Sequence, residues 1–244
     1  MISASEAATG QSSGELQAVL FDMDGVLVNS EPLWFEAERE VMARLHGSWA
    51  EGDQHALVGG SMAVTVAYLL DKGTRPADPD VVERWLVDLM LGMLATRPLP
   101  VMAGARELVA GVARAGLAYA LVTSSEREIM EAVLAGFGPA FGVTVCADDV
   151  ARCKPDPEGY LLAAAKLAVD PRRCVVIEDS PNGVAAAEAA GCLAVAVPGV
   201  VPIPATPRRV IVGSLTDLSA ARLQADFARL RPGEDPVAGT ATQS

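Results

Sequence analysis

The second half of the chain alternates short, continuously apolar runs with segments of helical periodicity, and this alternation limits the folds that the chain can adopt. The apolar runs consist mainly of Val, Ile, Leu and Ala and lack a polar residue at every second position, which is typical of strands covered on both faces. The predicted strands are residues 18–21, 117–123, 143–147, 174–177, 193–197 and 210–212. The predicted helices are residues 105–114, 126–135, 157–167 and 183–190. This order predicts an α/β fold, a doubly wound, Rossmann-like parallel sheet with helices on both faces.

The interval from residue 30 to residue 97 breaks the alternation because it contains no good strand candidate. Amphipathic patterns near residues 32–45, 63–70 and 81–94 predict helices there instead. A helical insertion after the first strand lies over the carboxyl ends of the strands, where open parallel sheets bind ligands. We therefore predict a core domain of residues 15–29 and 98–225, an α-helical cap domain of residues 30–97, and flexible tails at residues 1–14 and 226–244.

Composition excludes several classes of function. A chain of 244 residues with 51% hydrophobic and 20% charged residues has enough apolar material for a folded core. A net charge of −12 argues against nucleic-acid binding, which needs cations to displace the counterions around phosphates. No apolar run approaches the ~20 residues that span a bilayer, so we expect no membrane partner. The four cysteines form no C-x-x-C pair, which predicts reduced thiols and a cytoplasmic location; a monomer is the default expectation.

Two carboxylates follow the first predicted strand directly. Asp22 and Asp24 are two residues apart, so in an extended chain both project to the same side, and Gly25 then allows the backbone to turn. Two acids this close repel each other unless one is protonated or a cation lies between them. The segment therefore predicts a divalent-metal site in which one carboxylate also acts as a nucleophile; the alternative is a turn with solvated aspartates.

A second acidic pair, Glu178 and Asp179, follows the predicted strand at residues 174–177. Acids in this position are often helix caps, and alone the pair would carry little weight. Together with Asp22 and Asp24 it would form an all-oxygen site at one edge of the sheet. Hard cations such as Mg²⁺ prefer oxygen ligands, so the two pairs together predict a magnesium site.

Two further segments add groups that suit a phosphate. The segment between one predicted strand and the next helix contains Thr123, Ser124 and Ser125. Their hydroxyls and the free N–H groups at the helix N-terminus can bind an anion; the alternative is a serine that caps the helix. Lys154 lies in a proline-rich loop and is one of only three lysines, against 16 arginines. A compact ammonium suits a point contact with a phosphoryl or carboxylate oxygen, although a solvated surface lysine is the alternative.

These four elements each follow a strand, and a helical insertion follows the first. Their order, which is D-x-D-G, T/S, K-P and E-D, resembles that of the haloacid dehalogenase superfamily. The stretches D-M-D-G-V-L-V-N-S-E-P-L-W, K-P-D-P and E-D-S-x-N-G are specific in combination, and the resemblance covers residues 16–218. It is strongest to the branch with a small helical cap, which includes β-phosphoglucomutases and sugar-phosphate phosphatases. The resemblance implies phosphoryl-transfer chemistry on a small phosphorylated substrate.

The resemblance also implies a role for each motif residue. Asp22 would attack phosphorus and form an aspartyl-phosphate, and Asp24 would protonate the leaving group and then activate water. Thr123 would hydrogen-bond the phosphoryl group, and Lys154 would neutralise its charge while pairing with Asp22. The expected ligands of Mg²⁺ are Asp22, the backbone carbonyl of Asp24, Glu178 and Asp179.

Departures from the mutase pattern favour hydrolysis. By local alignment the histidine of the mutases is Trp34 here, and their cap arginine falls near Met62. Lys72, the cap's only lysine, is expected at a helix end in a solvated role. Without cations for a second phosphate, a phosphatase is the expected activity, with a hexose-phosphate mutase and a receiver-like phospho-accepting domain as alternatives. Expected substrate-binding residues are Trp34, Gly60, Ser61, Ser124, Ser125 and Asn182.

Overall fold

The computed structural model describes residues 15–230, and its centre is a six-stranded, fully parallel β-sheet. The strands are β1 (Ala18–Phe21), β2 (Ala118–Val122), β3 (Thr144–Val145), β4 (Cys174–Glu178), β5 (Leu193–Ala196) and β6 (Arg209–Ile211). Their order across the sheet is β3-β2-β1-β4-β5-β6, the order of doubly wound dinucleotide-binding folds. The predicted fold class is confirmed.

Both faces of the sheet are covered by helices that follow the strands in sequence. These helices are α5 (Ala105–Arg114), α6 (Arg127–Phe137), α7 (Glu158–Lys166), α8 (Pro181–Ala189) and α9 (Ala220–Leu230). Side chains alternate along β1, so that Val19 and Phe21 join the core on one face and Ala18 and Leu20 the core on the other. The first core includes apolar residues of α5, α6 and α9, and the second those of α7 and α8. Burial on both faces explains why the strands lack polar alternation.

Four helices stand between β1 and α5, namely α1 (Glu31–Arg44), α2 (Glu51–His55), α3 (Met62–Lys72) and α4 (Pro79–Thr96). Helix α4 packs against α1 and α3 and also contacts α6 of the core. The two connections between these helices and the core run side by side. The N–H of Asn29 donates to the carbonyl of Pro100, and the N–H of Met102 donates to the carbonyl of Leu27. The insertion therefore begins and ends at the same edge of the sheet.

Helix α2 was not predicted, because its sequence, E-G-D-Q-H, contains no apolar residue whose periodicity could reveal it. The helix is held by one side chain instead. Asp53 accepts hydrogen bonds from the N–H of Ala50 at 2.8 Å and from the hydroxyl of Tyr68 at 2.8 Å, and it pairs with Lys72. Polar contacts with the next helix, α3, therefore stabilise this turn.

The prediction of a tail beginning at residue 226 is wrong for residues 226–230, which form the end of α9. Phe227 lies one turn after Leu223, and both side chains are buried in the core. Asp226 is also buried, and it pairs with Arg222 and Arg229. The predicted tails at residues 1–14 and 231–244 lie outside the described residues. Among residues 15–230, no helix combines the length and hydrophobicity needed to cross a membrane.

Candidate active site

Three neighbouring strands bring the predicted motifs to one edge of the sheet. Phe21 at the end of β1 is in register with Leu121 of β2 on one side and with Ile177 of β4 on the other. Asp22 directly follows Phe21, Glu178 ends β4, and Thr123 comes two residues after Leu121. Because all strands run in the same direction, these side chains meet above the carboxyl ends of β1, β2 and β4.

Lys154 reaches this edge from the loop before α7 and is ion-paired rather than solvated. Its side chain is only 7% exposed. Its Nζ donates to Asp22 Oδ1, to Glu178 Oε1 at 2.7 Å and to the carbonyl of Val122 at 3.0 Å. Burial alone would lower the pKa of Lys154, but the charges of Asp22 and Glu178 outweigh this effect and raise it. The lysine is therefore a fixed positive charge beside Asp22.

Glu178 is fully buried, and both of its carboxylate oxygens accept hydrogen bonds. Oε1 accepts from Lys154 and from the hydroxyl of Tyr160 at 2.7 Å. Oε2 accepts from the N–H of Asp179 at 3.1 Å and from the N–H and hydroxyl of Ser180 at 3.2 and 3.1 Å. A Cβ on Gly183 would lie 1.7 Å from Oε1, so only glycine leaves room for this carboxylate. Glu178 orients Lys154 in this arrangement, and a metal ion bound by Glu178 would share its oxygens with these donors.

Asp24 accepts hydrogen bonds from four side chains. Its Oδ1 accepts from the hydroxyl of Ser30 at 2.5 Å and from Nε1 of Trp34 at 3.5 Å. Its Oδ2 accepts from the hydroxyls of Ser125 at 2.8 Å and Thr123 at 3.3 Å. These four donors, from both the core and α1, fix the orientation of the carboxyl group. Ser30 was missed by sequence reasoning, although it lies within the first motif stretch, residues 22–34.

The donor set fits a hard divalent cation. Ligand oxygens of Asp22, Glu178 and Asp179 all lie within 4.8 Å of one another. The Asp179 carboxylate is 5% exposed and has no hydrogen-bond donor among the described residues, and burial together with the charges of Asp22 and Glu178 raises its pKa to about 9. Burial also raises the pKa of Asp22, the charges of Glu178 and Asp24 add to the shift, and Lys154 opposes it. A cation between these oxygens would relieve the repulsion, and oxygen-only ligands suit Mg²⁺.

Gly25 makes this approach of the carboxylates sterically feasible. Its φ of +76° lies in the left-handed region that favours glycine. A Cβ at this position would lie 1.9 Å from Oδ2 of Asp179. The glycine of the first motif therefore serves both the turn after β1 and the close packing of Asp179.

A cavity opens above these groups and is roofed by the inserted helices. It holds about 740 Å³ of space, part of it open to solvent. Five of the six predicted substrate-binding residues line it, namely Trp34, Gly60, Ser61, Ser124 and Ser125. The amide of the sixth, Asn182, donates to the carbonyl of Gly59 at 3.0 Å and so links α8 to the inserted helices. At Gly59 (φ +71°) a Cβ would lie 2.6 Å from Ser180, which shows how closely the two parts approach.

The cavity wall also contains residues that sequence reasoning missed. Glu31 and Glu38 of α1, Glu126 before α6 and Gln54 of α2 all line it. Glutamates in amphipathic helices usually face solvent, so their pattern gave no signal for a buried position. Lys72 does lie at the end of α3, as expected, but its Nζ pairs with Asp53 and stands 5.7 Å from the ring centroid of Trp49.

Comparison with known proteins agrees with this arrangement. The family model of haloacid dehalogenase-like hydrolases matches residues 16–191. Hexitol phosphatase B of Escherichia coli (strain K12) is 37% identical over 218 residues, which cover 84% of this chain and 96% of that protein. The phosphorylated carbohydrates phosphatase of Thermotoga maritima is 36% identical over 183 residues, 72% of this chain and 82% of that protein.

A solved structure shows the same fold. The crystal structure of CbbY from Rhodobacter sphaeroides in complex with phosphate superposes with a TM-score of 0.76, at 30% identity, over 83% of this chain and 96% of that one. The two sequence relatives and the solved structure are matched over 82–96% of their own lengths, and the family match spans β1 to the end of α8. The resemblance drawn from the order of the four motifs is confirmed, and the chain belongs to the haloacid dehalogenase-like hydrolases.

Proposed function

We propose that the protein is a Mg²⁺-dependent phosphomonoesterase that hydrolyses a small sugar phosphate through an aspartyl-phosphate on Asp22. One observation carries the proposal: Asp22 stands beside the buried cation Lys154, and Asp24, held by four donors, faces the same cavity. A nucleophile, a charge that stabilises the transferring group and an acid–base residue are the groups that phosphoryl transfer needs.

Asp22 is arranged to act as the nucleophile. Its Oδ1 pairs with Lys154, while Oδ2 has no hydrogen-bond donor among the described residues. An oxygen of Asp22 would attack phosphorus while the bond between phosphorus and the ester oxygen breaks, and Lys154 would balance the charge on the phosphoryl oxygens. The product is an aspartyl-phosphate and an alkoxide that needs a proton.

Asp24 would handle that proton. Protonated, it gives its proton to the leaving alkoxide, and the resulting carboxylate then takes a proton from water. The water oxygen attacks phosphorus, the bond to Asp22 breaks, and inorganic phosphate is released with Asp24 protonated again. The hydroxyls of Ser30, Thr123 and Ser125 can each donate or accept, and they hold Asp24 in position through both steps.

We propose that Mg²⁺ is held by Asp22, Glu178, Asp179 and the backbone carbonyl of Asp24. Once bound, the ion would supply charge neutralisation for the phosphoryl oxygens and for the crowded carboxylates. We further propose that residues 30–97 act as a cap that excludes water from the reacting groups.

The relatives named as phosphatases of hexitols and of phosphorylated carbohydrates support a sugar phosphate as substrate. The four free cysteines fit a cytoplasmic location, which we propose together with a monomeric state.

The proposal is tested by phosphate release. Purified protein with Mg²⁺ should release phosphate from hexitol and hexose monophosphates and from p-nitrophenyl phosphate, and Asp22→Asn should release none. Asp88→Asn, an exposed aspartate on α4 paired with Arg84, is the matched control and should retain activity. Full activity of Asp22→Asn would refute the nucleophile, and conversion of β-glucose 1-phosphate to glucose 6-phosphate without net phosphate release would establish a mutase instead.

A further inference from the structure

Tyr160 of α7 lies buried beside the proposed reacting groups, although none of the proposed steps uses it. Within residues 15–230 it is the largest fully buried side chain. A buried tyrosine hydroxyl usually has a hydrogen-bond partner, and that of Tyr160 donates to Oε1 of Glu178 at 2.7 Å. The same oxygen accepts from Lys154. A phenylalanine would fill this part of the core equally well, so packing alone does not account for the hydroxyl.

The ring of Tyr160 also contacts Lys154 directly. Nζ of Lys154 lies over the ring, 5.1 Å from its centroid. An ammonium group within about 6 Å of an aromatic face is attracted to it, and the attraction is stronger when the cation is desolvated. The side chain of Lys154 is almost entirely buried, so water weakens this contact little. Tyr160 therefore touches Lys154 with its ring and an anionic partner of Lys154 with its hydroxyl.

Three elements of the core surround the ammonium group of Lys154. The carbonyl of Val122, at the end of β2, accepts at 3.0 Å, and Oε1 of Glu178, at the end of β4, accepts at 2.7 Å. Tyr160 completes this lysine socket from α7. The remaining hydrogen bond of the ammonium group is made to Asp22. Because a lysine side chain has a flexible four-carbon stem, contacts such as these determine where its charge lies.

Helix α7 holds the backbone of the loop that carries Lys154 as well as its side chain. Glu158, in the first turn of α7, accepts from the N–H groups of Ala151 at 2.9 Å and Arg152 at 3.2 Å. Tyr160 stands two residues later on the same helix and packs in the core beneath it. The loop and the ammonium group are thus both held by α7, and Tyr160 is the residue through which α7 reaches the ammonium group.

We propose that Tyr160 is a positioning residue for phosphoryl transfer: its ring directly, and its hydroxyl through Glu178, hold the charge of Lys154 beside Asp22. This inference rests on the proposed phosphatase function and adds to it a residue that does not touch the substrate. A displaced charge stabilises the transition state less, whereas the rest of the site still binds the substrate. The loss of Tyr160 should therefore appear in kcat rather than in KM.

Two substitutions test the two contacts by kinetics. Tyr160→Phe keeps the ring and removes the hydroxyl, and it should lower kcat for p-nitrophenyl phosphate about tenfold with KM within about twofold of wild type. Tyr160→Leu removes both contacts and should lower kcat about a hundredfold. The single-turnover rate constant should fall by the same factors, and it does not depend on how much of the protein is folded. Tyr119→Phe removes a hydroxyl that donates to the carbonyl of Ala140, outside the lysine socket, and as the matched control it should stay within about twofold of wild type.

A spectroscopic comparison tests the position of Lys154 without turnover. The chain has only three lysines, so protein labelled with ¹³C-lysine gives three NMR signals from the methylene groups beside the ammonium groups. The signal that disappears in Lys154→Met belongs to Lys154. An aromatic ring shifts the signals of protons above its face to lower frequency. This shift should persist in Tyr160→Phe and vanish in Tyr160→Leu, while the signals of Lys72 and Lys166 stay in place.

The outcomes separate this inference from the proposed function. The inference is overturned, while the phosphatase stands, if kcat of Tyr160→Phe equals that of wild type or if the loss is confined to KM. An identical Lys154 signal in wild type and Tyr160→Leu overturns it as well. If no ester releases phosphate, the proposed function fails, and the Lys154 signal alone then decides whether Tyr160 positions the lysine.

Discussion

Glu38 offers a sharp test of the structure, because a buried carboxyl group makes stability depend on pH. Its pKa is raised from 4.5 to about 8 by burial and by the charge of Glu31. A group whose pKa is higher in the folded state contributes stability that is fully present below its unfolded pKa and is lost as pH rises through its folded pKa. Wild-type protein should therefore lose stability from this group between about pH 4.5 and pH 8.

Glu38→Gln removes this loss, and its magnitude follows from the shift. Each pKa unit corresponds to about 1.4 kcal/mol, so a shift of about 3.5 units sets an upper limit of ~5 kcal/mol. Relaxation of the site and entry of water reduce this value, and we expect the variant to gain about 1–3 kcal/mol relative to wild type between pH 5 and pH 8. The gain would show that the wild-type protein keeps a destabilising carboxylate in its cavity, as functional sites often do.

The assay is urea unfolding of both proteins at pH 5, 6, 7 and 8, followed by tryptophan fluorescence, with the free energy of unfolding compared at each pH. Comparing the difference across pH cancels any constant effect of the substitution on packing. Glu131→Gln, at an exposed position, is the control and should differ from wild type by the same amount at every pH. A difference between Glu38→Gln and wild type that does not change with pH would refute the raised pKa of this buried carboxyl group.

Three further predictions concern the groups around Asp22. Gly183→Ala would place a Cβ 1.7 Å from a carboxylate oxygen of Glu178 and should lower the free energy of unfolding, measured in urea, by about 1–3 kcal/mol. Gly92→Ala, whose Cβ would have no atom within 4 Å, should not lower it, and equal effects of the two substitutions would contradict the packing around Glu178. Lys154→Met should reduce kcat for p-nitrophenyl phosphate at least about a thousandfold. Lys166→Met, at an exposed position, should keep kcat within about twofold of wild type, and retained activity of Lys154→Met would show that Lys154 does not take part in the reaction. Addition of Mg²⁺ should raise the Tm of wild-type protein by a few degrees and that of Asp179→Asn much less, and an equal rise in both would place the ion elsewhere.

The sequence was sufficient to predict the sheet and the residues at its edge. Continuous apolar runs identified β1 and β4, and the carboxyl ends of parallel strands necessarily meet, so the placement of Asp22, Thr123 and Glu178 followed from their positions after those runs. Strand and helix ends differ by one to a few residues from those predicted, because the last residues of an element are fixed by caps such as Ser180 as well as by periodicity.

The cavity wall could not be predicted in the same way. Glu38 and Glu126 line the cavity only because the inserted helices pack over the sheet, and nothing in the local sequence distinguishes them from surface glutamates. Ser30 is similar, since its contact with Asp24 depends on how α1 leaves the core. Tertiary contacts between the inserted helices and the core determine these positions.

The most direct test of the account is to trap the phosphoryl group on the enzyme. Protein mixed rapidly with Mg²⁺ and p-nitrophenyl phosphate should be quenched in acid and digested, and the phosphorylated peptide identified by mass spectrometry. The account predicts one phosphoryl group on the peptide that contains Asp22, with none on that peptide in Asp22→Asn. Steady turnover with the phosphoryl group on another residue, or with full activity in Asp22→Asn, would contradict it.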